Sequence, residues 1–305
     1  MRLAFLISAH TDPQHLDRLI KSLPEESDFF IHVDAKSDLK IFEDKIKDER
    51  VKFVLPRTNV TWGSIKQVEY QMTLIKNALE SQNHYDYLVS MSGLDYPVWS
   101  NDRITNYFTA NKGKEYIQGI SMADQGEDAR LYRQYRLLSE KPWAMGSLGS
   151  KFRVALRHII SFAGIVKPLT FKANGKKYKL HKGSSWWAIT PELAKYALYT
   201  WNNNTQYVKY FKTSFGPDET FIQTLAFNSH FADKCILTKG KMPDFDKLTP
   251  LTYIYYHPII KVLNEEDYDT IINSDKMFCR KTITDKSDKL LNLIDKFREL
   301  NYLNE

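Results

Sequence analysis

The sequence predicts an α/β fold with a mainly parallel central sheet. Short apolar runs alternate with segments whose apolar residues recur at helical spacing through the first hundred residues. Four of these runs predict buried strands, at 3–8, 29–33, 51–55 and 87–91. Alternation of this kind is typical of a parallel sheet that carries helices on both faces.

Two helices of this half have N-terminal signals. Asp12 followed by Pro13 predicts a helix cap and the first residue of a helix. Ser64 is a candidate cap for a second helix, whose apolar positions run from Ile65 to Leu79. Both helices therefore follow a predicted strand, as the α/β pattern requires.

The carboxyl ends of the predicted strands define one rim of the sheet. Ligands of open α/β sheets bind at this rim, which here carries Ala9-His10, His32 to Asp34 and Ser92 to Asp95. A carboxylate at a strand end, such as Asp34 or Asp95, can accept hydrogen bonds from a uracil or a ribose. The alternative for either residue is a turn or helix-capping aspartate.

The second half of the chain is less regular. An amphipathic helix is predicted over 152–166, with Arg153 and Arg157 on its polar face. Asn174-Gly175 predicts a hairpin. Further helices are predicted at 191–201, 218–227 and 287–303.

Composition indicates an ordinary globular protein. The 305 residues are 43% hydrophobic and 26% charged, and no apolar run reaches the length that spans a membrane. Cys235 and Cys279 provide no disulfide framework and fit a reducing compartment. The apolar run at the N-terminus is too short for a signal peptide, since His10 follows it closely. We therefore expect a cytoplasmic protein.

The positive charge is concentrated in one segment. The net charge is +6, and residues 141–182 contain ten Lys or Arg and no Asp or Glu. This distribution argues against a nucleic-acid-binding protein and favours a local anionic partner. One hypothesis is that the helix at 152–166 lies on the anionic inner face of a membrane. The alternative is a buried core helix accompanied by solvated lysines.

Glu219 lies in the run Gly216-Pro217-Asp218-Glu219, at the start of a predicted helix. A carboxylate in the first turn of a helix is often only a partner of the helix dipole. A general base also needs to reach the hydroxyl that it deprotonates. Taken alone, the position of Glu219 favours the structural role.

Short segments in a fixed order carry a family resemblance over nearly the whole chain. They are Leu6–Pro13, His32–Asp34, Trp62–Gly63, Ser90–Pro97, Gly183–Trp187, Pro217–Thr224, His257–Pro258 and Asn273–Lys281. In these segments the chain resembles the core-2/I-branching β-1,6-N-acetylglucosaminyltransferase family, which includes the peptide O-xylosyltransferases. It would be a bacterial-type member.

The resemblance implies a single-domain GT-A-type (Rossmann-like) fold. Residues 1–120 would form the nucleotide-binding half, and residues 121–305 the acceptor-binding and catalytic half. The resemblance also implies an inverting enzyme that transfers a sugar from a UDP-sugar to a hydroxyl of a glycan or lipid-linked glycan. Glu219 matches the catalytic glutamate of the family and would be the general base. N-acetylglucosamine is the expected sugar, and xylose, glucose and galactose are alternatives.

The resemblance also assigns binding residues. Those for the donor nucleotide are Ala9, His10, Asp34, Trp62, Gly63 and Asp95. Those for the acceptor or sugar are Ser184, Ser185, Trp186, Trp187 and Asp218. Since adjacent strand residues face opposite ways, one of the two tryptophans is expected in the core.

No divalent metal and no cofactor are expected, because branching members of the family lack a metal-binding Asp-x-Asp motif. Asp244-Phe245-Asp246 and Asp267-Tyr268-Asp269 match that pattern but lie far beyond the expected strand end. Arg280 and Lys281 match the basic pair of the family and would neutralise the leaving diphosphate. Thr252 replaces a further family arginine, for which the candidate substitutes are Lys239, Lys241, Arg130, Arg133 and Arg136.

Two other functions remain open. A glycoside hydrolase needs two carboxylates that flank the scissile bond, and Asp95 with Glu219 could supply them. A non-catalytic carbohydrate-binding protein would need neither.

Overall fold

The computed structural model describes residues 1–257 and 259–302. Pro258 of the predicted His257-Pro258 segment lies outside the described residues, as does the last residue of the helix predicted at 287–303. The strands are β1 (Leu3–Ala9), β2 (Asp28–Val33), β3 (Val51–Phe53), β4 (Tyr87–Ser92), β5 (Asp95–Pro97), β6 (Gln118–Ser121), β7 (Thr170–Ala173), β8 (Lys176–Lys179), β9 (His181–Lys182), β10 (Ala188–Ile189), β11 (Ile236–Leu237), β12 (Thr252–Ile254) and β13 (Phe278–Arg280).

The helices complete the α/β pattern. They are α1 (Pro13–Ser22), α2 (Leu39–Lys45), α3 (Lys66–Leu79), α4 (Asn101–Ala110), α5 (Leu148–Phe162), α6 (Pro191–Asn203), α7 (Thr205–Phe211), α8 (Phe221–Phe227), α9 (Tyr268–Ile272) and α10 (Asp288–Tyr302). None of them, within the residues described, is long and apolar enough to cross a membrane.

A five-stranded sheet forms the centre of the molecule, in the order β10-β4-β1-β2-β3. Strands β1 to β4 pair in parallel, and β10 joins β4 in the antiparallel sense at one edge. The α/β prediction with a mainly parallel sheet is therefore confirmed. The near-continuous apolar runs of the sequence arise because these strands are buried on both faces.

Alternate residues of β1 enter two different hydrophobic cores. Ala4 and Leu6 pack with the apolar face of α3 on one side of the sheet. Phe5 and Ile7 pack with α1 and α10 on the other side. The period-2 alternation of a strand thus distributes one apolar run between two layers of helix.

The C-terminal segment returns to the first half of the chain. Strand β13 pairs in the antiparallel sense with β5 and in parallel with β12. Helix α10 is tied to α1 by an ion pair of 2.8 Å between Arg18 Nη2 and Asp295 Oδ2. Packing therefore joins β13 and α10 to the half of the chain that precedes residue 120.

Three predicted helix boundaries differ in the structure. Helix α5 begins at Leu148, because the side chain of Ser147 accepts a hydrogen bond from the Ser150 amide. Helix α3 begins at Lys66 and has no side-chain cap from its N-cap residue, which is Ile65 rather than Ser64. The helix predicted from 218 is divided into a 3₁₀ turn, Pro217–Glu219, and α8.

Glu115 anchors the N-terminus of α6 to the sheet. Its carboxylate accepts hydrogen bonds from the Thr190 amide at 2.9 Å and the Thr190 hydroxyl at 2.6 Å. Thr190 is the cap of α6, since its side chain accepts from the Leu193 amide. Burial raises the pKa of Glu115 to about 7.

We expect Glu115→Ala to lower the free energy of unfolding by about 1–3 kcal/mol, because the Thr190 amide and hydroxyl lose their buried acceptor. Glu192→Ala, an exposed substitution in the first turn of the same helix, should cost less than about 1 kcal/mol. Urea unfolding at pH 6 measures both. Equal effects of the two substitutions would contradict the anchoring role of Glu115.

Candidate active site

A cleft of about 700 Å³ lies at the carboxyl ends of the parallel strands. One wall carries Ala9-His10 after β1, Asp34 after β2 and Ser92 at the end of β4. The opposite wall includes Asp218-Glu219. The amino end of the antiparallel strand β10 adds Ser185 and Trp186, because an antiparallel strand starts where its parallel neighbours end.

Glu219 faces this cleft beside a buried cation. Its Oε2 lies 3.1 Å from Lys182 Nζ, and the side chains of Lys182 and Glu219 are 6% and 23% exposed. Lys182 Nζ also donates to the Gly183 carbonyl at 3.0 Å and lies 4.9 Å from the Phe245 ring centroid. The carboxylate of Glu219 is therefore solvent-accessible, while the Gly183 carbonyl and the Phe245 ring hold the ammonium of Lys182 in place.

Close backbone packing brings Glu219 and Lys182 together. The Gly183 amide donates to the Glu219 carbonyl at 2.8 Å. A Cβ at Gly183 would lie 2.1 Å from the Gln118 carbonyl oxygen, so only glycine fits there. Gly216 begins the 3₁₀ turn at a φ of +52°, which favours glycine. These two glycines set the path that turns Glu219 into the cleft.

Asp218 is buried next to Glu219. Its Oδ2 accepts from Gln67 Nε2 at 2.9 Å and from Ser185 Oγ at 2.7 Å. Burial, together with the neighbouring charge of Glu219, raises the pKa of Asp218 to about 7. Partial protonation of Asp218 near neutral pH limits the repulsion between the two carboxylates.

Asp95 does not line the cleft and is fully buried behind it. Its carboxylate accepts from Arg280 Nη1 at 2.8 Å, from Trp186 Nε1 at 2.9 Å and from the Ser92 amide at 2.8 Å. Burial raises the pKa of Asp95, and the charge of Arg280 opposes that rise. Asp95 therefore lies behind the residues that line the cleft, and its predicted contact with the nucleotide stays a prediction.

Arg280 lines the cleft in an orientation that Asp95 and Trp186 define. Its guanidinium carbon lies 4.7 Å from the centroid of the Trp186 ring. Its Nε is buried and has no hydrogen-bond partner among the described residues. Arg280 thus presents a fixed positive charge to the cleft.

Most of the predicted site residues lie together. Those that line the cleft are Ala9, His10, Asp34, Trp62, Ser185, Trp186, Asp218, Glu219 and Arg280. Trp62 is 83% exposed. Burial and the charge of Lys281 lower the pKa of His10, so its ring is neutral at pH 7. His32 is also in the wall, and burial lowers its pKa to about 4.

Four further predicted residues also lie outside the cleft lining, and their assigned contacts stay predictions. Trp187 is the core tryptophan of the pair, since it faces away from Trp186. Ser184 is buried, and its hydroxyl donates to the Trp186 carbonyl at 3.2 Å. The Gly63 amide donates to the Gln67 side chain. Lys281 is partly buried, which lowers its pKa.

The predicted substitutes for the missing arginine also lie elsewhere. Lys239, Lys241, Arg130 and Arg133 are exposed, and Arg136 lies 4.7 Å from the Phe215 ring centroid. Among the cleft residues described, Lys36, Lys182 and Arg280 are the lysines and arginines. Sequence reasoning overlooked Lys182 as a site residue, although it directly precedes the Gly183–Trp187 segment.

The four aspartates of the two Asp-x-Asp matches are not part of the cleft lining, although Phe245 is. Asp267 accepts from the Asn264 amide at 3.0 Å and pairs with Lys261 at 2.7 Å, so it stabilises a helix start. Within residues 1–257 and 259–302, no group of three or more His, Cys, Asp or Glu side chains has an arrangement that could hold a metal ion.

A family model described as Core-2/I-Branching enzyme matches residues 3–272. The chain belongs to the Core-2/I-branching enzyme family. This family of glycosyltransferases is the one that the ordered segments resemble, so the resemblance is confirmed, and so is the glycosyltransferase class at the level of the family.

Curated relatives of this Core-2/I-branching family member include xylosyltransferases. Xylosyltransferase 2 of Rattus norvegicus is 25% identical over 264 residues, which cover 84% of this chain and 28% of the relative. Xylosyltransferase oxt of Drosophila pseudoobscura pseudoobscura is 22% identical over 238 residues, which cover 75% and 24%. The chain spans about a quarter of the length of these relatives.

A solved structure, S. aureus TarS 1-349, aligns with a TM-score of 0.27 and 11% identity. The alignment covers 45% of this chain and 41% of that one.

The raised pKa of Asp218 predicts a pH dependence of stability. A carboxyl group whose pKa is higher in the folded state stabilises the fold fully below its ordinary value near 4, and that stabilisation is lost as the pH rises through about 7. Between pH 5 and 8, we expect the free energy of unfolding to decline less in Asp218→Asn than in the wild type, by about 1 kcal/mol or more. Urea unfolding at several pH values measures it.

Asp233→Asn, at an exposed position, is the matched control and should leave the pH dependence unchanged. Parallel pH profiles for Asp218→Asn and the wild type would show that Asp218 is not the titrating group.

Proposed function

We propose that this chain is an inverting glycosyltransferase that moves a sugar from a UDP-sugar to a hydroxyl of a glycan acceptor, with Glu219 as the general base. One observation carries the proposal. The carboxylate of Glu219 opens into the cleft at the carboxyl ends of a parallel sheet, 3.1 Å from the buried ammonium of Lys182. Ligands of such sheets bind at this edge.

The chemistry is a single displacement. The acceptor oxygen attacks the anomeric carbon, the bond from that carbon to the β-phosphate oxygen breaks, and UDP leaves. Glu219 takes the proton of the acceptor hydroxyl. Only one carboxylate has to react, so Asp218 is free to serve as a buried hydrogen-bond acceptor.

Arg280 is the proposed partner of the leaving diphosphate. Asp95 and Trp186 hold its guanidinium in place before any ligand arrives, so little reorganisation is needed when negative charge develops. Lys36 and Lys182 line the same cleft and add positive charge. On this basis we propose that the reaction needs no divalent metal.

Contacts to the donor nucleotide are assigned to the wall that carries Asp34. Asp34 already accepts a hydrogen bond from the Lys36 amide at 3.0 Å and can accept others from a ribose or uracil. Ala9, His10 and the exposed ring of Trp62 complete this wall. Ser185 and Trp186, beside Asp218 and Glu219, are assigned to the acceptor or transferred sugar.

N-acetylglucosamine is the proposed sugar, following the branching members of the family. Xylose is the first alternative, because the curated relatives named above are xylosyltransferases. The acceptor is proposed to be a surface glycan, either free or linked to lipid. The cysteines Cys235 and Cys279 are both free, and on that basis we propose the cytoplasm as the compartment.

A glycoside hydrolase is not favoured, because Asp95 cannot serve as its second carboxylate. Asp95 is fully buried and bonded to Arg280, so it does not reach a glycosidic bond beside Glu219. A non-catalytic sugar-binding protein remains the competing function, and turnover distinguishes it from a transferase.

The proposal is tested by measuring UDP release across a panel of UDP-sugars, with a mixed glycan acceptor. We expect release with one donor, and we expect Glu219→Gln to lower kcat by about 10²–10⁴-fold, the usual effect of a lost general base. UDP binding by calorimetry should be retained in this variant.

Glu192→Gln, a distant exposed substitution, is the control and should keep full activity. Unchanged turnover in Glu219→Gln would remove Glu219 from its role. Absence of UDP binding in the wild type would contradict the proposed donor.

A second expectation concerns the diphosphate. Arg280→Ala should weaken UDP binding by about 10–100-fold, because a charge-assisted hydrogen bond contributes about 1.5–3 kcal/mol. Lys281→Ala, next in sequence but outside the cleft lining, should change UDP binding less than about threefold. Calorimetry measures both affinities.

Turnover that disappears in EDTA and returns with manganese would contradict the metal-free reaction.

A further inference from the structure

Helix α5 turns its apolar side outward. Leu148, Phe152, Ile159 and Phe162 are between 57% and 95% exposed. Their spacing of four, seven and three residues places them along one face of the helix. Ala155, on the same face, is also exposed. The helices of globular proteins normally bury such a row, so the row indicates a surface that binds something.

The polar side of α5 faces the protein. Ser150 is the residue of α5 that is buried among those described. Arg153 Nη1 lies 3.5 Å from the Lys141 carbonyl. Burial and the charge of Arg153 lower the pKa of Arg157. The alternative of a buried core helix is therefore wrong, whereas the hypothesis that this helix lies on a membrane stays a prediction.

Residues on both sides of α5 extend the apolar surface. Met145 precedes the helix and is almost fully exposed, and Ile165 and Val166 follow it, each about half exposed. Lys141 and Lys151 are exposed beside this row. The sequence from 141 to 191 contains no Asp or Glu, so no acidic residue of this segment offsets the basic groups near the apolar row.

We propose that α5 lies flat on an anionic lipid bilayer, with Leu148, Phe152, Ile159 and Phe162 inserted at the level of the headgroups. Exposed apolar side chains and lysines are together complementary to such a surface. A second copy of this chain is a poorer occupant, because two basic segments without acids would repel each other. Helix α5 has 15 residues, which suits an interfacial helix rather than a spanning one.

The position of α5 connects the bilayer to the cleft. Glu140, in the loop before α5, accepts a hydrogen bond through its carbonyl from the Thr61 hydroxyl at 3.4 Å. Trp62, the next residue, lines the cleft. Arg153 of α5 contacts the carbonyl of Lys141, the residue after Glu140, so these contacts link the docking helix to the loop that carries Trp62. The sugar of a lipid-linked acceptor would be presented on this side of the cleft. This last step rests on the proposed transferase function, whereas the docking itself does not.

The test is sedimentation of the full chain with vesicles of phosphatidylcholine, with and without about 30 mol% phosphatidylglycerol, at low and high salt. The wild type should bind the anionic vesicles, less so at high salt. Phe152→Ser combined with Phe162→Ser should bind at least about tenfold more weakly, because two inserted apolar side chains are lost. Both residues are exposed, so the fold should be retained, which circular dichroism and UDP binding check.

Ile41→Ser combined with Tyr199→Ser, two exposed positions outside the segment, is the matched control and should bind as the wild type does. Failure of the folded wild type to bind anionic vesicles, or equal binding by the Phe152/Phe162 variant, would overturn the proposal. So would a wild-type dimer, seen by size-exclusion chromatography with light scattering, that the variant loses without any vesicle binding. UDP release with a soluble acceptor is measured separately, so failure of docking and failure of the transferase are distinguishable.

Discussion

The buried carboxylate of Asp95 is the contact on which the arrangement of the cleft depends. It joins three separate parts of the chain, namely the end of β4 through the Ser92 amide, β13 through Arg280 and the start of β10 through Trp186. A buried charge is stable only when it is paired and hydrogen-bonded, and removal of one partner costs several kcal/mol. The same three bonds therefore fix the C-terminal strand against the sheet and aim Arg280 at the cleft.

The opposite wall is organised by a second, more exposed ion pair. Lys182 is held in place by the Gly183 carbonyl and the Phe245 ring, while Glu219 keeps part of its surface in the cleft. Asp218, in the same wall, is bonded to Gln67 and Ser185. Two consecutive carboxylates thus have different environments, since one is buried among hydrogen-bond donors and the other lies beside a cation. In the proposed mechanism, this difference assigns the role of base to Glu219 and a structural role to Asp218.

Much of this arrangement could be predicted from the sequence, and the reasons for the failures are specific. Strands β1, β2 and β4 were predictable because burial on both faces leaves continuous apolar runs. The roles of Asp95 and Lys182 were not, because each depends on a partner distant in sequence, Arg280 and Glu219. The return of β13 to β5 was missed for the same reason, since a three-residue strand carries no periodic signal. Pattern identifies local structure, and long-range pairing decides which side chains face the cleft.

Helix α5 shows a second limit of sequence patterns, which concerns the orientation of a helix. Its periodicity correctly indicates an amphipathic helix, but a pattern does not say which face meets the protein. The structure places Arg153 and Arg157 toward the protein and the row of Leu148, Phe152 and Phe162 toward solvent. In water this orientation leaves apolar surface uncovered, and it becomes favourable when a lipid or protein surface covers that face. The cost of leaving this face in water is therefore the physical reason behind the proposal that α5 lies on a membrane surface.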